Sequence, residues 1–212
     1  MKFFSYENRF GQIMMALCYA CYLNLLWFIC SIPIFTIGAS TTALYYTSLK
    51  VIRNEEGHVD VLFFRSFKEN FKQATAIWMI LLPIGLFLGA DGWIVYHLRS
   101  SSTGSAAVFW TLILTVIIAA SVFYMIELIF VFPLLASVVN DTRSMLKNAF
   151  LIGTHYLFAT ISVFAVHFAM FFVVVAWFTP LIILGEGLCA IVSAWLLNQV
   201  LIAVTTPAEV DE

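Results

Sequence analysis

Long apolar runs, separated by short polar stretches, organise this chain. Five runs stand out: about Ile13–Ile32, Ala74–Tyr96, Val108–Ser137, Tyr156–Phe178 and Leu181–Val204. A helix needs about 20 apolar residues to cross about 30 Å of hydrocarbon, so each run predicts a transmembrane helix. A sixth stretch, Ile34–Ile52 (IFTIGASTTALYYTSLKVI), is weaker, being rich in Ser, Thr, Ala and Gly. One polar stretch is itself periodic. In Asp60–Ala74 (DVLFFRSFKENFKQA), Phe63, Phe64, Phe67, Phe71 and Ala74 recur at helical spacing, opposite Arg65, Lys68, Glu69 and Lys72. That pattern predicts an amphipathic helix in the headgroup interface before the third span.

Charge placement bears on the weak stretch. If it spans, nine of the ten basic residues fall on one side of the membrane: Lys2, Arg9, Lys50, Arg53, Arg65, Lys68, Lys72, Arg143 and Lys147, with Arg99 opposite. If it does not, the five from Lys50 to Lys72 change sides and the positive-inside bias collapses. The expected fold is therefore all-α and polytopic, a single transmembrane domain over 1–212. It has six spans, both termini in the cytoplasm and a cytoplasmic amphipathic loop at 53–73. A re-entrant Ile34–Ile52 hairpin gives the same sidedness. The first run is too long for a signal peptide's apolar region and ends in no A-x-A-like site, so it is expected to be retained.

Composition narrows the functional classes. The 212 residues are 63% hydrophobic and only 10% charged, with a mean hydropathy of +1.00. A soluble domain carries about 25% charged residues, so a water-covered globular protein is excluded. With ten Lys and Arg and a net charge of −2, the basic field that nucleic-acid binding requires is missing. The longest loop, Arg53–Gln73, has 21 residues and leaves no room for a soluble catalytic domain.

Candidate chemistry therefore lies inside the membrane, where an ionisable side chain is costly and marks a site by default. Glu127 (SVFYMIELIFVFP) lies deep in the fourth span, six residues before Pro133. It suits a proton, cation or substrate contact, or a protonated carboxyl bonded across helices or to carbonyls freed by Pro133. His167 lies mid-span in the fifth, where a neighbouring carbonyl commonly satisfies a lone histidine. A Glu127–His167 relay would require the two to meet. Asn24, Asn198 and Gln199 read as interhelical hydrogen-bonding groups. Asp91 and Glu186 are expected near the outer interface.

Cys18 and Cys21 form a CxxC, but inside an apolar run thiols behave as small hydrophobes; no cofactor or metal is expected. Gly85 and Gly89 form a GxxxG suited to close helix packing, within the chain or between copies of a homo-oligomer. Arg65, Lys68, Lys72, Arg143 and Lys147 are candidates for docking a cytoplasmic partner or for contacting anionic lipid, two compatible roles. The stretches around Arg65–Phe71 and Arg143–Phe150 resemble one another weakly, as a parallel duplication would, though chance explains so few matches more simply. No GxSxG, HExxH, P-loop or GxGxxG occurs, and the chain is expected not to be an enzyme.

Two motifs, NLLWFICSIPIFTIGASTTALYY at Asn24–Tyr46 and RSFKENFKQAT at Arg65–Thr75, together with FPLLASVVND around Pro133, resemble the YesL-like family of small bacterial membrane proteins. The likeness runs over essentially the whole chain. It implies no catalytic residues, because the family's activity is uncharacterised. Its members are commonly encoded beside carbohydrate ABC importers, which implies an accessory role in sugar uptake. The rival expectation is a small transporter or channel with Glu127 on its path.

Overall fold

The structure, a computed structural model, describes residues 9–55, 57–177 and 185–205, with side chains from residue 14 to 204 within those ranges. Lys2, Phe178, Pro180 and Leu181 lie outside them. The described residues are helical, without strands: α1 Arg9–Ser31, a 3-10 turn Ile34–Thr36, α2 Ile37–Ile52, α3 Val59–Ser101, α4 Gly104–Leu135, α5 Thr142–His155, α6 Leu157–Ala176 and α7 Gly185–Thr205. Five of these, α1, α3, α4, α6 and α7, are long and apolar enough to cross a membrane.

The weak second stretch differs from the five in length and in partner. With 16 residues, α2 is about 24 Å long at a rise of 1.5 Å per residue, short of the hydrocarbon thickness. It runs antiparallel to the first half of α3. A Cβ on Gly38 would strike the Ala74 carbonyl and the Trp78 side chain, and one further stretch along, Tyr46 lies within electrostatic reach of Arg65. The α1–α2 turn is pinned at the same level, since Trp78 Nε1 donates to the Ile34 carbonyl at 2.8 Å. So α2 lies beside the amphipathic half of α3 and stops where the apolar half begins.

This position explains the composition of α2. Ten of its 16 residues are buried, and small side chains let neighbouring backbones approach. Three of its buried hydroxyls are satisfied locally: Ser40, Thr42 and Thr47 donate to the carbonyls of Thr36, Gly38 and Ala43. Polar residues that lower the hydropathy are thus interior residues of a tight helix.

The amphipathic helix expected at 60–74 exists, but it is continuous with the span that follows, a single α3 of 43 residues. Its aromatic face meets protein. Phe63 is fully buried in the main core, and Phe67 and Phe71 pack against that core with rings 5.4 Å apart. Only Phe64 and Val61 of its large apolar side chains are exposed.

Beyond Trp78, α3 and α4 form an antiparallel hairpin. The pairs step regularly outward: Trp78 with Phe132, rings 6.3 Å apart; Gly85 against Tyr124 and Gly92 against Ile117; and Arg99 Nε donating to Thr111 Oγ1 at 2.6 Å. Gly89 faces open space, so of the expected Gly85–Gly89 motif Gly85 packs within the chain, and Gly92 joins it against α4.

The two basic stretches also differ. The first leads into α3 without a break, whereas α5 is a separate helix. Asp141 caps it by accepting from the Ser144 N–H at 3.2 Å, and α5 ends at His155, before α6 begins at Leu157. Pro133 sits two residues before the end of α4 rather than at a mid-helix bend.

Candidate functional site

Two cavities receive the ionisable residues, and they divide the expected Glu127–His167 pair. Glu127 lies on α4 facing a cavity of about 570 Å³ between α3, α4 and α5. Its Oε1 is buried without a hydrogen-bond partner. Lys147 of α5 lines the same cavity. A cation therefore shares this cavity although no span carries one nearby, because α5, outside the spans, folds back along α4. The carboxyl and the ammonium form no ion pair among the described residues.

His167 instead faces Glu186, at the first turn of α7. The separation between Nε2 and Oε1 is 3.9 Å, with both side chains about 30% exposed. Glu186, expected at a hydrated edge, lines a cavity of about 310 Å³ walled by α1, α2, α3, α4, α6 and α7. Trp27, Tyr45, Trp78, Phe132 and Phe164 supply aromatic walls, and Thr41 accepts from Trp27 Nε1 at 3.1 Å. Sequence reasoning missed this constellation because its members come from six helices. The one signal available was Glu186 beside an apolar run in a chain with few acids.

The elements around this cavity are fixed by close contacts. The buried Asn24 of α1 accepts from the Gly187 N–H of α7 at 3.0 Å. Gly187 must remain a glycine here, since a Cβ would collide with the Ala20 carbonyl. Asn198 accepts from Arg53 Nε at 2.8 Å, tying α7 to the loop between α2 and α3. Asn24 thus joins two helices and Asn198 a helix to a loop, and neither lines the cavity of His167.

Residues 20–92 match the family model DUF624, described as a protein of unknown function. YesL-like proteins carry this domain. The match runs from mid-α1 through α2 to Gly92 of α3, so it includes the α2–α3 packing and five residues of the His167 cavity, Trp27, Ile37, Thr41, Tyr45 and Trp78. No curated protein and no solved structure matches the chain.

The basic candidates stay at the surface. Arg65 pairs with Glu69 one helical turn on at 3.0 Å, and that carboxylate holds the guanidinium above its usual range. Lys68, Lys72, Arg143 and Lys147 are exposed. The Ser144 side chain and backbone N–H hold the Asp141 carboxyl below its usual range. Cys18 and Cys21 are exposed, Cys30 half-buried and Cys189 buried. Among the described residues, no three His, Cys, Asp or Glu side chains converge as metal ligands.

Proposed function

We propose that this chain is a YesL-like, non-enzymatic accessory protein of the cell membrane, with both termini cytoplasmic, working beside a carbohydrate ABC-type importer. The observation that carries the accessory reading is the α3–α4 hairpin. Between residues 82 and 125 only Val95 is buried, while Leu86, Phe87, Trp93, Val108, Leu112 and Val116 stand more than 60% exposed. A hairpin this exposed, meeting the rest of the described residues at few places such as Phe123 on Phe150, suits lateral docking in the bilayer. The exposed Arg65, Lys68 and Lys72 suit a partner or anionic headgroups on the basic side. The sugar-uptake context rests on the family resemblance.

The test is a gentle-detergent pull-down of tagged protein from its native membranes, with mass spectrometry of the eluate. Stoichiometric permease or ATPase subunits are expected. Recovery of the chain alone, or only with itself, contradicts the accessory role.

The buried, unpartnered Glu127 Oε1 favours a second reading, a small transporter or channel. Reconstituted flux that Glu127→Gln abolishes, with unchanged stability, would establish it. Equal loss of flux and stability would assign Glu127 to packing.

A further inference from the structure

The geometry points to the aromatic cavity at His167 and Glu186 as a binding site for a primary ammonium group carried on a compact apolar body. The tautomer of His167 is the starting point. Its Nδ1 lies 2.9 Å from the Val163 carbonyl, which can only accept, so Nδ1 carries a proton. In the neutral ring Nε2 is then an acceptor, and it faces a carboxylate oxygen 3.9 Å away. That distance exceeds a hydrogen bond and leaves two acceptors turned toward one another. A ligand ammonium seated beside this gap, off the line that joins the two atoms, donates one N–H to each at ordinary lengths.

The walls select the charge of that donor. Trp27, Tyr45, Trp78, Phe132 and Phe164 line the cavity, and neither Lys nor Arg does. Aromatic faces attract a cation within about 6 Å of the ring centroid, and Glu186 supplies the counter-charge. An anion would meet a carboxylate and no cation. A metal ion would find a single imidazole and a single carboxylate. The cavity, about 310 Å³, falls at the small end of ligand sites, so the body of the ligand is compact. This site is independent of the accessory role and of the Glu127 cavity.

The ammonium could belong to a free amine or to an ethanolamine lipid headgroup. The test uses the full chain in nanodiscs made only of phosphatidylcholine, titrated with benzylammonium and, in parallel, with benzyl alcohol. Tryptophan fluorescence and the unfolding midpoint are the readouts. We expect saturable quenching and a raised midpoint with benzylammonium only, and at least tenfold weaker binding in Glu186→Gln. If that variant does not fold, the contrast between the two probes on the unaltered chain decides. Equal responses to both probes, or no response to benzylammonium, overturn the proposal, as does unchanged affinity in a folded Glu186→Gln. Adding phosphatidylethanolamine to the discs distinguishes the sources: competition with benzylammonium assigns the lipid headgroup, and none assigns a free amine.

Discussion

The two halves of α3 are built for different surroundings. From Val59 to Leu81 the helix buries Phe63, Ser66, Ala74, Ile77 and Leu81 against its neighbours. From Leu82 to Ser101 it buries Val95 alone and meets essentially one partner, α4. The first half is amphipathic in sequence yet interior on its apolar side; the second is mostly apolar, Asp91 and Arg99 apart, yet exposed. Hydropathy therefore reports the solvent an element tolerates, whereas the distribution of small residues reports what it packs against. In α2 the glycine, alanines and hydroxyl residues permit close approach to α3, and this part of the chain is correspondingly dense.

The largest contrast should come from deleting aromatic rings. Phe63→Ala removes a fully buried side chain and should cost about 3–5 kcal/mol. Phe87→Ala, whose ring is 67% exposed, should change stability by less than about 0.5 kcal/mol. Unfolding midpoints in one detergent measure both; similar losses would erase the distinction between the halves.

Glycine replacements sharpen it next. Gly38→Val drives a side chain into the Ala74 carbonyl and Trp78 and should cost about 1–3 kcal/mol. Gly89→Val meets nothing within 4 Å and should leave the midpoint unchanged. The same midpoint assay reads both.

The smallest effect belongs to the cap of α5. The Asp141 carboxyl is held below its usual range by Ser144. Its stabilisation of the first turn is therefore complete above the ordinary aspartate value of about 3.9 and is lost as pH falls through the lower folded value. Amide exchange at Ser144 should accelerate across that window, and Asp141→Ala should exchange quickly at every pH. A Ser144 rate that ignores both changes contradicts the capping role.

The five long helices were legible because apolar runs near 20 residues have few alternatives, and the helical phase of Phe63, Phe67 and Phe71 was legible from spacing. What their face meets was not, since lipid and protein reward the same periodicity. The place of α2 was hidden because Ser40, Thr42 and Thr47 look hydrophilic in sequence while bonding to their own helix. Glu127 was visible as an ionisable residue in an apolar run, but not that α5 folds back to bring Lys147 to its cavity. The approach of His167 to Glu186 depends on how α6 and α7 meet, which no local pattern encodes.

The α1–α2 turn lies beside Trp78, midway along α3, a placement that spin-label distances in a variant lacking Cys18, Cys21, Cys30 and Cys189 can test. One pair places labels at the exposed positions Ile34 and Met79, the other at Ile34 and the exposed Tyr96. The first distance should be short and the second longer by about 25 Å, the rise over the residues between Met79 and Tyr96. A short distance to Tyr96 and a long one to Met79 would mean that α2 runs the full length of the apolar half of α3, contradicting a turn beside Trp78.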